Sequence, residues 1–357
     1  MFDLPALKFA SPGEKSIPVW LIEAKPFAAA LKAAEKARGL PEGLPRDLPP
    51  DALRFAATTG FEAKTGRLFW FVAAEGAPGA VFLVDAGPNA DPFQIGALAN
   101  LLPAGVYRLA NAPARPDLAA LAFLLGGHRF ARYKQQREAA HLVAPEGIDA
   151  AEIEAVASSV ALARDLIDTP ANDLGPDELE AAIRAVGERF GAKVSVVRGE
   201  KLEKDFPLIH AVGKSSPRAP RLVELRWKPR RARKLTLVGK GVCFDSGGLD
   251  IKPDSAMALM KKDMGGAAAA IAAAAMIMAA NVDASLRLLV PIVENSVSGE
   301  AFRPGDVYRS RKGLTVEIGN TDAEGRLILA DALAYADDDK PELLVDFATL
   351  TGAARVA

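Results

Sequence analysis

Leu314-Thr315-Val316-Glu317-Ile318-Gly319-Asn320-Thr321-Asp322-Ala323-Glu324-Gly325-Arg326-Leu327 holds a short apolar run, a polar loop and the opening of an apolar helix near Arg326. A strand that passes through a polar loop into a helix is the repeat unit of an α/β sheet, and ligands of such sheets sit where strands end. Side chains two apart in an extended loop point the same way, so Asn320, Asp322, Glu324 and Arg326 can converge on one side. Two carboxylates and a guanidinium then share a small volume at the mouth of a buried sheet. That is unfavourable unless a cation balances it. The loop asks for a metal ion.

The alternation continues to either side. Residues 193–197, 222–227, 235–238, 286–293, 314–318 and 343–347 are short, continuously apolar runs with helical stretches between several of them. Such runs are expected of strands covered on both faces. The fold expected is α/β: a mostly parallel mixed sheet covered by helices on both faces, with a smaller N-terminal α/β domain. Polar clusters follow three of the runs, at 240–252, 320–326 and 349–352. The first brings Lys240, Asp245 and Lys252 around glycines that let the backbone turn sharply, and Asp263 follows shortly after Met260-Lys261-Lys262. Its lysine spacing is not that of a phosphate loop, and no serine or threonine follows the lysine. No histidine occurs after His210, which excludes the paired-histidine helix of zinc proteases from this half.

Residues 1–145 read as the N-terminal domain, with strands at 19–22, 67–73, 80–85 and 105–109 and helices at 26–37, 92–102 and 117–130. The Pro- and Gly-rich segment 39–50 reads as a surface loop. His128 and His141 have no acid or thiol at ligand spacing and read as surface or packing residues. The polar stretch 141–149 is the candidate linker, and 146–170 are assigned as linker and connecting helix; the helix, 150–167, is broken by Asp168-Thr169-Pro170. Residues 171–357 form the second domain, opened by a helix at 177–190 behind Pro176.

Lysine plus arginine (44) balances aspartate plus glutamate (45), which argues against a general nucleic-acid or anionic-membrane surface and for a small partner. The single cysteine, Cys243, permits no intrachain disulfide, fits a reducing compartment and reads as a small buried apolar residue. The N-terminus lacks the pattern of a secretory signal, so a cytoplasmic protein is expected. The alanine-rich run 267–280 is shorter than the roughly 20 residues of a membrane span and reads as a buried helix. The basic run 228–234 reads as a solvated hairpin loop.

The 240–252 cluster, Asp263 and the octapeptide 320–327 together resemble the cytosol (leucyl) aminopeptidase family, peptidase family M17. The resemblance covers about residues 168–352 and is weak over the first domain. It implies a metal-dependent aminopeptidase that hydrolyses the N-terminal residue from peptides with a free N-terminus, through a hydroxide bridging two divalent ions. Manganese or zinc is implied, with cobalt and magnesium as further choices. The family's metal ligands fall on Lys240, Asp245, Asp263, Asp322 and Glu324, its catalytic pair on Lys252 and Arg326, with a bicarbonate at Arg326. Its substrate-binding positions fall on Met260, Asn320, Thr349, Leu350 and Gly352. A cytoplasmic homohexamer is implied, with no membrane or nucleic-acid partner.

Family members continue past the threonine-glycine stretch, so 171–357 is expected to be a catalytic domain truncated at its C-terminus. A second reading keeps the scaffold but gives it a binding or regulatory, DNA-binding role with little activity in the truncated form. The basic run is its local support. A third, a two-metal phosphoesterase, needs the same carboxylates but no free amine on the substrate.

Overall fold

A computed structural model describes residues 4–35, 44–87, 89–135, 138–228 and 233–356. The chain divides into two compact units, Ala6–Ala157 and Ser158–Ala357, the latter joined by Met1–Pro5.

The first unit comprises β1 (Ile17–Glu23), α1 (Ala24–Glu35), α2 (Pro50–Thr58), β2 (Leu68–Val72), β3 (Pro78–Val84), α3 (Leu98–Leu101), β4 (Gly105–Leu109), α4 (Pro116–Gly127) and β5 (Ala140–Leu142). Its sheet runs β2-β3-β1-β4-β5 and is parallel apart from β2. Both faces of β1 are covered: Val19 and Leu21 pack with Phe82, Leu98 and Phe123, and Trp20 and Ile22 with Phe27, Phe69 and Phe71. Three local expectations change. Pro50 opens α2 rather than ending a loop, since proline suits a first helical turn; the rest of that loop lies partly outside the described residues. The helix expected at 92–102 is a 3-10 turn, Gln94–Ala97, followed by the single turn α3. His141, expected in the polar stretch at 141–149, lies exposed in β5, whose three residues owe their form to pairing with β4.

Next come α5 (Ala150–Asp168), which contains the boundary between the units, α6 (Pro176–Phe190), β6 (Lys193–Arg198), α7 (Glu200–Asp205), α8 (Pro207–Gly213), β7 (Arg221–Trp227), β8 (Arg233–Gly239) and β9 (Gly241–Asp245). Then follow α9 (Asp254–Met257), α10 (Gly265–Ala279), β10 (Ala284–Asn295), β11 (Val307–Arg309), β12 (Thr315–Glu317), α11 (Glu324–Asp337) and β13 (Leu343–Phe347). The sheet runs β13-β8-β10-β7-β6, with β9 pairing further along β10. The strands β13, β8, β9 and β10 are parallel, and β7 is antiparallel to both its neighbours. This is the expected mostly parallel mixed sheet.

Strand β10 shows why its sequence reads as one apolar run. Leu286, Leu288, Val290 and Ile292 enter the core beneath α6 and α10, whereas Leu289 and Val293 enter the core beneath α8 and α11. Each face has its own layer of helices. Helix α10 is mostly buried, as expected of its alanines. With the preceding 3-10 turn it reaches 20 residues, longer than the sequence reading allowed, and most of that length is inside the protein.

Two expectations about strands are corrected. The run 314–318 supplies β12, which pairs antiparallel with β11 in a separate hairpin and stays outside the main sheet. Its Leu314 is exposed, and three residues cannot be covered on both faces. The basic run 228–234 does not turn a hairpin, because β7 and β8 lie on opposite sides of β10. Residues 229–232 of that run lie outside the described residues.

Candidate metal centre and active site

Strands β8 and β9 follow one path along β10, interrupted at Lys240. The backbone of Lys240 is held from both sides at the break: its N–H donates to Phe347 O at 3.0 Å, and its carbonyl accepts from Ala267 N at 2.8 Å. Its ammonium is buried 3.0 and 2.8 Å from the two oxygens of Asp263 and 2.9 Å from Glu324 Oε1, and it donates to Thr349 O at 3.1 Å. Asp263 is carried by the 3-10 turn Met260–Met264, and Glu324 opens α11. Gly325 is where it is because of this lysine. A Cβ there would stand 2.6 Å from Lys240 Nζ.

Asp245 ends β9, and the chain then doubles back within seven residues, closed by Lys252 N–H donating to Ser246 O at 2.9 Å. Gly247 and Gly248 make this possible with φ of 88° and 67°, left-handed values that side chains disfavour. The turn returns Lys252 across Asp245: Nζ lies 2.9 Å from Asp245 Oδ2 and also pairs with Asp322 Oδ1. Carboxylate oxygens of Asp245, Asp322 and Glu324 lie within 4.8 Å of one another.

Asp322 and Glu324 therefore converge, but not by extended alternation. Thr321–Ala323 form a 3-10 turn and Glu324 is already helical. Asn320 Oδ1 accepts from Asp322 N at 2.7 Å and so acts as the cap of this turn. Arg326, two residues into α11, is exposed; side chains two apart on a helix point away from each other. The loop also does not continue a strand of the main sheet, since β12 precedes it.

Two lysines face four carboxylates here, and burial, with the neighbouring acids adding to it, governs the proton affinities of Glu324 and Asp263. Burial pushes Glu324 up to about 7 despite Lys240, with Asp245 and Asp263 adding to the rise. Burial likewise raises Asp263 against the pull of Lys240. Burial alone would lower both lysines, but Glu324 and Asp263 hold Lys240 above its ordinary value, and Asp322 and Asp245 hold Lys252 above its own. Glu324 Oε2 is buried with no hydrogen-bond partner; Asp263 Oδ2 is close to Lys240 but out of alignment for a bond. Unpartnered buried oxygens beside excess negative charge fit divalent cations, with Lys240 as a fifth donor once it loses its proton.

Of the expected pocket residues, Met260 begins the turn that carries Asp263, and Thr349 Oγ1 donates to Asp263 Oδ1 at 2.7 Å. Leu350 and Gly352 are exposed beyond β13. Asn295, Thr321 and Asp250 escaped the sequence reading. Asn295 Nδ2 donates to Asp245 Oδ1, Thr321 Oγ1 donates to Gly247 O, and Thr321 N donates to Asp250 Oδ2, across separations of 50, 74 and 71 residues. No local pattern marks such partners. Cys243 is buried, as read, and burial pushes its thiol up.

A family model described as "Cytosol aminopeptidase family, catalytic domain" matches residues 161–357, more than half of the chain. The chain belongs to the cytosol aminopeptidase family. A second model, "M17 aminopeptidase, N-terminal domain", matches residues 43–145, so the family extends into the region where the sequence resemblance was weak. The chain is 46% identical over 208 residues to a probable cytosol aminopeptidase of Corynebacterium glutamicum, covering 58% of this chain and 42% of that protein. It is 41% identical over 286 residues to one of Rhodococcus opacus, covering 73% and 56%. The chain thus spans about half the length of the curated relatives it matches.

Among solved structures, the cytosol aminopeptidase of Coxiella burnetii aligns at a TM-score of 0.86 and 38% identity, over 97% of this chain and 74% of the other. The bottromycin maturation enzyme BotP in complex with Mn aligns at 0.79 and 32%, over 96% and 74%.

Proposed function

We propose that the chain is a metal-dependent aminopeptidase that removes the N-terminal residue from peptides, with Lys240, Asp245, Asp263, Asp322 and Glu324 holding two divalent cations. The observation that carries this reading is the cluster of four carboxylates, three of them buried, against two lysines, with Glu324 Oε2 unpartnered. Oxygen donors plus one amine suit manganese or zinc, with cobalt or magnesium as alternatives, and one structural relative is titled as a complex with Mn. Bound cations would lower the pKa of a water between them and polarise the scissile carbonyl.

The chain's own residues supply the rest. Lys252 stays cationic between Asp245 and Asp322, and its N–H groups stabilise the oxyanion that develops on the substrate carbonyl. Lys240 would hold a cation only as a neutral amine, so cation uptake would be linked to release of its proton. Arg326 cannot serve as a base, because a guanidinium stays protonated; we assign it to hold a bicarbonate. Met260, Thr349 and Gly352 line the pocket for the first substrate side chain in this reading, with Asn320 and Leu350 as further substrate-binding positions. The relatives' names place them in the cytosol, and we extend that location to this chain; a homohexameric assembly is carried over from the family resemblance alone. No observation favours the DNA-binding alternative.

Hydrolysis of an aminoacyl amide is compared with that of its N-acetylated form and of a phosphate ester. The expected result is cleavage of the free-amine amide alone, lost on chelation and restored by Mn2+. Equal cleavage of the acetylated amide, or cleavage of the phosphate ester only, overturns the reading.

A further inference from the structure

Asn295 closes β10, and its side chain is fully buried. Its Nδ2 donates to Asp245 Oδ1 at 2.9 Å and to Thr321 O at 3.0 Å, while its backbone carbonyl accepts from Ser246 N and Oγ at 3.0 and 2.8 Å. A carboxylate and a carbonyl can only accept, so the orientation of the amide is determined: turned over, Oδ1 would face two acceptors. That orientation leaves Oδ1 buried without a donor. The pairing of β9 with β10 also slips between Val293 and Asn295. An amide kept half satisfied at a register slip is not explained by strand pairing.

What its two N–H groups join is the end of β9, with Asp245, and the turn that carries Asp322 and leads into Glu324. Thr321 braces the same junction: its hydroxyl donates to Gly247 O at 2.6 Å and accepts from Asp250 N at 2.8 Å. Gly248 leaves room for both, since a Cβ there would lie 2.9 Å from Asn295 Oδ1 and 3.0 Å from Thr321 Oγ1. The tie takes up one oxygen of Asp245 and leaves Oδ2 facing Lys252.

We propose that Asn295 is a positioning residue: one amide holds Asp245 Oδ1 and the Thr321 carbonyl together, and so sets the spacing of the two loops that supply the cation ligands. In this role it acts through Asp245 and Thr321 and not by contact with substrate or cation. The catalytic consequence rests on the aminopeptidase reading; the consequence for cation binding does not.

The test uses the full chain with Asn295→Asp, which keeps the shape but replaces donors by acceptors, and Asn295→Ala, which removes the amide without adding charge. Three quantities are measured: Mn2+ affinity by calorimetric titration without substrate, kcat and KM on an aminoacyl amide, and the thermal midpoint of the metal-free protein. The expected result is a Mn2+ Kd weakened by about 10- to 100-fold in both variants, a lower kcat and a nearly unchanged KM. Variants that lose thermal stability but bind Mn2+ and turn over like the parent would overturn the proposal, leaving Asn295 a purely structural residue. Should either variant fail to fold, the other decides. Should the parent bind Mn2+ yet cleave no aminoacyl amide, the aminopeptidase reading fails while the Mn2+ titration still decides the role of Asn295.

Discussion

Two ionic clusters of the second unit have buried centres, Arg221 with Glu180 and Lys240 with Asp263 and Glu324, and they behave in opposite ways. Around Arg221, which is 2% exposed, Glu180 accepts from Arg221, Arg184 and Arg198, and Asp177 accepts from Arg221 as well. Guanidinium groups outnumber carboxylates there. Burial pushes Glu180 up, yet its arginines outweigh burial and hold it below the usual carboxylate value. Around Lys240, carboxylates outnumber amines, an oxygen of Glu324 is unpartnered and that carboxyl is raised to about 7. Burial is common to both clusters, so burial alone does not mark a site. The mark is buried negative charge that the protein leaves uncompensated, which fits a cation arriving from outside.

The largest expected break of this comparison is Glu324→Ala. Elemental analysis should show loss of divalent metal, and hydrolysis of an aminoacyl amide should fall by about four orders of magnitude or more, over roughly 5 kcal/mol of barrier. Glu180→Ala should keep its metal. Equal metal loss in both variants would erase the distinction between the clusters.

Arg221→Ala should act on the other side. Removing the cation leaves Glu180 with weaker partners and should cost about 3–5 kcal/mol in urea denaturation, with normal metal content in the folded protein. Lys252→Ala should come next. Metal content is retained and kcat drops about 10²- to 10³-fold, the scale of losing one oxyanion donor. Full activity in that variant would remove Lys252 from the mechanism.

The smallest effect is on pH dependence in the metal-free protein. Glu324 binds its proton more tightly folded, at about 7, than unfolded, at about 4.5, so the folded state carries more protons between those values. Stability contributed by this group therefore falls as pH rises from about 4.5 to 7, by roughly 3 kcal/mol at most, and Asp263 acts with the same sign. Glu180 has the opposite sign: its contribution is complete above the unfolded value and is lost as pH falls. Saturating Mn2+ should reverse the slope between about pH 4.5 and 7, because the loaded protein has given up the Lys240 proton that the unfolded chain keeps, and should leave the acid limb of Glu180 in place. Denaturant midpoints across pH, with and without Mn2+, check this.

The alternation of apolar runs and helices, the smaller first domain, and the clustering of Lys240, Asp245, Lys252, Asp263, Asp322 and Glu324 were legible in the sequence. The alternation and the charged residues within each stretch depend on local pattern, on strand runs covered on both faces and glycines that turn a loop. The joining of 240–263 to 322–324 rests instead on the resemblance to the aminopeptidase family. The sequence alone determined which residues carry the charges, Asp245, Asp263, Asp322 and Glu324 against Lys240 and Lys252. Tertiary structure decided how that charge is arranged. It put β12 in a hairpin of its own, set β7 and β8 on either side of β10, made a helical turn of the loop read as extended, and left Arg326 exposed. It also brought Asn295 to Asp245 across 50 residues. Strand partners and buried hydrogen bonds of that span are chosen by packing of the whole unit, and spacing along the chain holds no record of which distant group completes a site.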